Sequence, residues 1–87
     1  MRISVTIPNK KGLHARASAK IVEAAARFKS TITVSKDGQS VDARSVMGLM
    51  MLGAPQGSVV EISAEGADAE EALVALKALI EVRFGED

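Results

Sequence analysis

A two-residue alternation of apolar and polar side chains recurs along this chain and limits, more than anything else in it, how the chain can fold. Ile3, Val5 and Ile7 alternate with Arg2, Ser4 and Thr6. Ile32 and Val34 share one face of the segment from Thr31 to Ser35, and Val60, Ile62 and Ala64 share one face of the segment from Ser58 to Ala64. Successive strand side chains point to opposite faces, so each segment is apolar on one side and polar on the other. A sheet of such strands keeps one face in water and needs the other covered.

The intervening segments have helical period and supply that cover. Ala17, Ile21, Ala24, Ala25 and Phe28 form an apolar stripe on a helix expected from about Ala15 to Phe28. Ala72, Leu73, Leu76, Leu79 and Ile80 form a second stripe, on a helix that begins at Asp68. Glu71 stands three residues after Asp68 as in a capping box, and Lys77 and Arg83 fall late in this helix, where cations suit the dipole. A short helix is expected from about Val46 to Leu52, with Ser45 as its N-cap, Gly53 as its stop and Pro55 beyond. Asp37-Gly38 has the left-handed preference of a two-residue hairpin turn, which returns the chain into a short strand from about Gln39 to Asp42. The order is βαββαβα. The fold class is α+β: an open-faced sandwich of a four-stranded antiparallel sheet with three helices on one face. Residues 1–87 read as a single domain, since a chain of this length has no room for a second core.

Composition narrows the function. With two Phe and no Trp or Tyr, the core must be built from Ala, Val, Leu, Ile and Met. The absence of cysteine excludes disulfides, thiol catalysis and cysteine-based zinc sites. A single histidine argues against a His-rich metal site, and neither metal nor cofactor is expected. A formal net charge of zero, without stacking aromatics, argues against nucleic acid as a partner. The alternating first eight residues do not resemble a signal peptide, and no apolar run approaches the length of a membrane span. The expectation is a cytoplasmic monomer.

The one histidine, His14, lies in Gly12-Leu13-His14-Ala15-Arg16-Ala17, at the start of the first expected helix. A lone histidine is more often an ordinary residue than a functional one, and its surroundings decide. The amides of Ala15, Arg16 and Ala17 begin a helix, where unpaired N–H groups and the dipole favour an anion. The Arg16 guanidinium offers planar donors that match phosphate oxygens. A neutral imidazole can attack phosphorus near neutral pH, because its ordinary pKa is about 6.5. Phosphoryl transfer depends mainly on positioning and electrostatics, so little more is needed. The sequence has no Gly-rich nucleotide loop and no cluster of metal-binding carboxylates, so the phosphoryl group must come from another protein.

On these residues the chain resembles the HPr family, the histidine-containing phosphocarriers of the bacterial phosphoenolpyruvate-dependent phosphotransferase system. The likeness covers essentially the whole chain. It rests on Gly12-Leu13-His14-Ala15-Arg16, on Arg44-Ser45-Val46-Met47-Gly48-Leu49-Met50-Met51-Leu52-Gly53, and on the segment from Gly57 to Gly66, in that order. The resemblance implies that His14 accepts a phosphoryl group on Nδ1 from enzyme I and passes it to an enzyme IIA domain, with Arg16 assisting. It implies a carrier with a phosphohistidine intermediate, acting in sugar uptake or its regulation, and no turnover of its own. The family usually has proline after the active-site arginine; Ala17 stands there instead and restores a donor N–H. This departure is compatible with a sugar-uptake branch and with a nitrogen-type regulatory branch.

Ser45 has two readings. As an N-cap it contributes about 1 kcal/mol. As a regulatory site, it would carry roughly two negative charges next to the docking surface when phosphorylated; in HPr-like proteins the matching serine is the target of an HPr kinase/phosphorylase. Val46, Met47, Leu49, Met50 and Met51 are too many apolar residues for one buried face of two helical turns. Leu49 and either Met50 or Met51 are expected in the core, and the rest form an exposed patch of adaptable side chains. The resemblance implies that Val46, Met47 and Met50 join His14 and Arg16 in partner docking; Lys20 and Lys29 are peripheral candidates. Gly48 leaves room for a partner or a neighbouring strand. Besides the carrier, the sequence admits a regulatory interaction module whose phosphorylation state controls a metabolic or stress-response enzyme. The absence of strand aromatics disfavours a third reading, a small-ligand or RNA-binding domain.

Overall fold

In the computed structural model, which describes residues 1–86, the alternating segments pair into one sheet. The elements are β1 (Arg2–Thr6), α1 (Ala15–Ala25), β2 (Thr31–Lys36), β3 (Gln39–Asp42), α2 (Val46–Met51), β4 (Val59–Glu65) and α3 (Ala69–Glu81), followed by a 3-10 turn at Arg83–Gly85. The strand order is β1-β4-β2-β3 and every pairing is antiparallel. Register aligns the apolar faces. Ile3 faces Ile62, Ile62 faces Val34, and Val34 faces Val41, giving one apolar row across all four strands. Val5 opposite Val60 and Ile32 opposite Ala64 flank that row. The helices cover this side through Ala17, Ile21, Ala24 and Ala25 of α1, Leu49 of α2, and Ala72, Leu73, Leu76 and Ile80 of α3, all buried. The architecture is the open-faced α+β sandwich.

Several local expectations are corrected. Helix α1 stops at Ala25 rather than Phe28. The next residues tighten into bonds from Arg27 N to Ala24 O and from Phe28 N to Ala25 O. The Arg44 guanidinium then takes the carbonyls of Ala25, Phe28 and Ser30, so a side chain 14 to 19 residues away ends the helix. Phe28 and Leu79 are half-buried rather than part of the deep core. Strand β4 runs Val59–Glu65, one residue later than expected.

Asp68 precedes α3 but does not cap it, and no capping box forms. Its carboxylate instead accepts from the amides of Lys29 (2.8 Å) and Ser30 (3.0 Å) and from the Ser30 hydroxyl, joining the end of α1 to the start of α3. These bonds, led by the Ser30 hydroxyl, hold its pKa below the ordinary carboxylate value. Arg83 is not in the last helix. It lies in the turn after α3, where Arg83, Phe84 and Gly85 have φ of 58°, 57° and 76°.

Candidate functional site

Helix α1 begins where Gly12 lets the loop from Ile7 turn back. Gly12 has φ +64°, and a Cβ there would lie 2.4 Å from the Ala54 carbonyl oxygen. The next residue donates its amide to that same oxygen at 3.0 Å, so the loops on either side of the site are locked together. His14 is the N-cap of α1, with extended backbone, and its Nδ1 accepts from the Arg16 amide at 3.3 Å. Its carbonyl accepts from the Ser18 amide at 2.9 Å. The ring is about one-quarter exposed. His14 and Arg16 line one pocket with Lys10, Lys11, Lys20 and Glu86. Of the three amides expected to cradle a phosphate, that of Arg16 is directed at the imidazole of His14. Ala15 is exposed, whereas Ala17 is fully buried and belongs to the core.

Glu86, which no local motif marks, joins this site. The turn after α3 brings it back to the histidine, where its Oε2 meets His14 Nε2. Its other oxygen accepts from Asn9 Nδ2 at 3.0 Å, and Asn9 also donates to the Gly12 carbonyl at 2.8 Å. The bond to His14 is the foremost reason that the Glu86 pKa lies below its ordinary value, with Asn9 and the charge of Lys11 adding to it against a burial cost. The Asn9 side chain is buried, and within the loop sequence nothing marks it out.

A groove lined by Leu13, His14, Gly53, Ala54 and Pro55 connects the imidazole to the end of α2. Ser45 caps α2 as expected, accepting from the Gly48 amide at 3.0 Å. The methionines correct the expected division of α2. Leu49 is fully buried and Leu52 shares its burial, whereas Met47, Met50 and Met51 are 72%, 45% and 75% exposed. A six-residue helix presents a single inward position, and the chain beyond it fills the remaining core volume, so neither Met50 nor Met51 is needed there. Met51 thus adds to the exposed patch, and Val46 is half-buried. Gly48 serves a neighbouring strand: a Cβ would lie 3.0 Å from Val41 Cβ and 3.1 Å from Ser45 Oγ. No helix among the described residues is long and apolar enough to cross a membrane.

Residues 1–82 match the family model described as the PTS HPr component phosphorylation site. A phosphocarrier protein HPr of Cupriavidus necator is 54% identical over 93% of this chain and 91% of its own length. The crystal structure of an HPr from Thermoanaerobacter tengcongensis superposes with a TM-score of 0.96 at 52% identity, covering 100% of this chain and 98% of that one. A dimeric HPr structure from the same organism is also similar, with a TM-score of 0.80 at 54% identity over 97% of each chain. By its sequence over residues 1–82 and by its fold, the chain belongs to the HPr family of phosphocarriers of the phosphotransferase system.

Proposed function

We propose that this protein, acting as a single cytoplasmic domain, carries a phosphoryl group on His14 Nδ1, taking it from phospho-enzyme I and giving it to an enzyme IIA domain. The observation that carries this reading is the placement of the imidazole. It caps α1 with Nδ1 toward the helix amides, beside Arg16 and three lysines in one pocket. In the transfer, Nδ1 attacks phosphorus as the bond between phosphorus and the donor atom of phospho-enzyme I breaks, and that bonding pair stays with the donor. The proton on Nε2 stays in place. Arg16 meets the charge on the transferring oxygens, and the amides at the start of α1 face the same oxygens once the Arg16 amide leaves Nδ1. The exposed Met47 and Met50, with half-buried Val46, give an acceptor or donor an adaptable apolar surface on α2, the helix whose end is reached by the groove from His14.

The test is to mix the protein with enzyme I and labelled phosphoenolpyruvate. Acid-labile label on the wild type and none on His14→Ala supports the carrier reading. Absence of label on both, with enzyme I active, overturns it. Arg16→Ala is expected to accept label about 10²-fold more slowly, the scale of losing one charge-stabilising donor.

Ser45 favours a second, regulatory layer. Its hydroxyl sits at the start of the helix that carries the exposed methionines, so a phosphate there places negative charge beside the docking surface. An HPr kinase/phosphorylase with ATP is expected to modify wild type and not Ser45→Ala. The same modification would let the protein switch a metabolic or stress-response enzyme. Whether phosphate leaves with the partner, or binding alone changes, separates that role from carriage. In this reading the carrier acts as a monomer, which sedimentation at working concentration checks.

A further inference from the structure

We infer that Glu86 is a positioning residue for phosphoryl transfer at His14, holding the imidazole in the one tautomer that can attack; the inference rests on the carrier reading above. A neutral imidazole has one N–H and one bare nitrogen, and its neighbours decide which is which. The Arg16 amide is a donor, so it can bond Nδ1 only when that nitrogen is bare. The Glu86 carboxylate is an acceptor, so it can bond Nε2 only when that nitrogen carries the proton. Both contacts select the same form, in which the lone pair lies on Nδ1.

The carboxylate is itself held. Asn9 Nδ2 takes its second oxygen at 3.0 Å and is anchored on the Gly12 carbonyl at 2.8 Å. The backbone that delivers it is fixed by the fully buried Phe84, whose carbonyl accepts from Lys20 of α1. Two non-glycine residues, Arg83 and Phe84, adopt the left-handed region to make that turn. Such backbone is costly and persists only where the surroundings over-determine it. Glu86 is one-seventh exposed, and the other charged residues of the pocket are Lys10, Lys11, Arg16 and Lys20.

Its role follows through the transfer. When Nδ1 bonds phosphorus, the ring becomes cationic with the proton still on Nε2. The carboxylate stands at that nitrogen, on the far side of the ring from the phosphoryl group, and neutralises the new charge without taking the proton. When the group moves on, the phosphorus–Nδ1 bond breaks, the pair returns to Nδ1 and the ring is neutral again in the same tautomer. The match to the family model ends at residue 82, four residues before Glu86.

The test compares wild type, Glu86→Ala and Glu86→Gln, with the histidine ring labelled with ¹⁵N. In the wild type the ring spectrum should show Nε2 protonated and Nδ1 bare. Glu86→Ala should shift both ring nitrogens toward a mixture of tautomers and slow acceptance from phospho-enzyme I about tenfold, the low end of what losing a ligand-orienting partner costs. Glu86→Gln keeps an acceptor oxygen and should restore the ring spectrum with part of the rate; it also carries the test if the alanine variant does not fold. A wild type that takes label, with a Glu86→Ala variant unchanged in rate and ring spectrum, overturns the inference and leaves the carrier reading standing. A wild type that takes no label overturns both.

Discussion

At the scale of single residues, the site depends on atoms that admit little change. A methyl group on Gly12 would press on the Ala54 oxygen at 2.4 Å and the Pro55 Cα at 2.9 Å, from a backbone at φ +64°. Gly12→Ala is therefore expected to cost about 1–3 kcal/mol from backbone strain, before the clash is counted. A lower urea midpoint at unchanged slope checks it. Asp68 and Glu86 make a second prediction. Both carboxyls titrate below their ordinary values in the folded state, Asp68 chiefly through the Ser30 hydroxyl and Glu86 chiefly through His14. A carboxylate with a lowered folded pKa stabilises the fold fully above its unfolded pKa, and that contribution fades as pH falls through the lower, folded value. Stability should thus hold from pH 7 to about 5 and decline below, and the decline should be smaller in Asp68→Asn. Urea midpoints measured across pH 7 to 3 decide this; an identical decline in the variant would exclude Asp68 as a contributor.

At the scale of elements, α2 divides its work between packing and presentation. Leu49 is fully buried, so Leu49→Ala should lose about 2–5 kcal/mol of stability. Met47 is 72% exposed, so Met47→Ala should change stability by less than about 0.5 kcal/mol. The same Met47→Ala change is expected to weaken binding to enzyme I, measured by titration calorimetry, and unchanged affinity would remove Met47 from the docking surface. Ser45→Ala should cost about 1 kcal/mol through the lost cap, an effect seen in thermal melts without any kinase. The cap was legible because Ser, an apolar run and Gly-x-Pro follow one another locally. The end of α1 was not, because the residue that takes its last carbonyls is Arg44, on the far side of a hairpin.

At the scale of the whole molecule, the turn after α3 couples core to site. Phe84 is fully buried, and Glu86 two residues later reaches His14. Phe84→Ala is expected to cost about 3–5 kcal/mol. It should also slow phosphoryl acceptance as much as Glu86→Ala does, because the carboxylate loses its anchor. Rates compared at a temperature where both variants are folded separate this effect from unfolding. The sheet carries the opposite end of the design. Its register places Ile3, Ile62, Val34 and Val41 in one row under the helices, so the frame that holds α1 is set by strand pairing far from His14.

The sequence alone determined the strands, the helical stripes, the cap at Ser45 and the pairing of His14 with Arg16, because each is written in spacings of two to four residues that the backbone period turns into faces and caps. Tertiary structure alone decided the partner of Asp68, the exposure of Met50 and Met51, the early end of α1 and the arrival of Glu86 at the imidazole. These depend on which elements meet in space. Asp68 is 38 residues from Ser30, and Glu86 is 72 residues from His14. No local period reports contacts of that range; only the folded chain, closing its sheet and burying Phe84, brings them together.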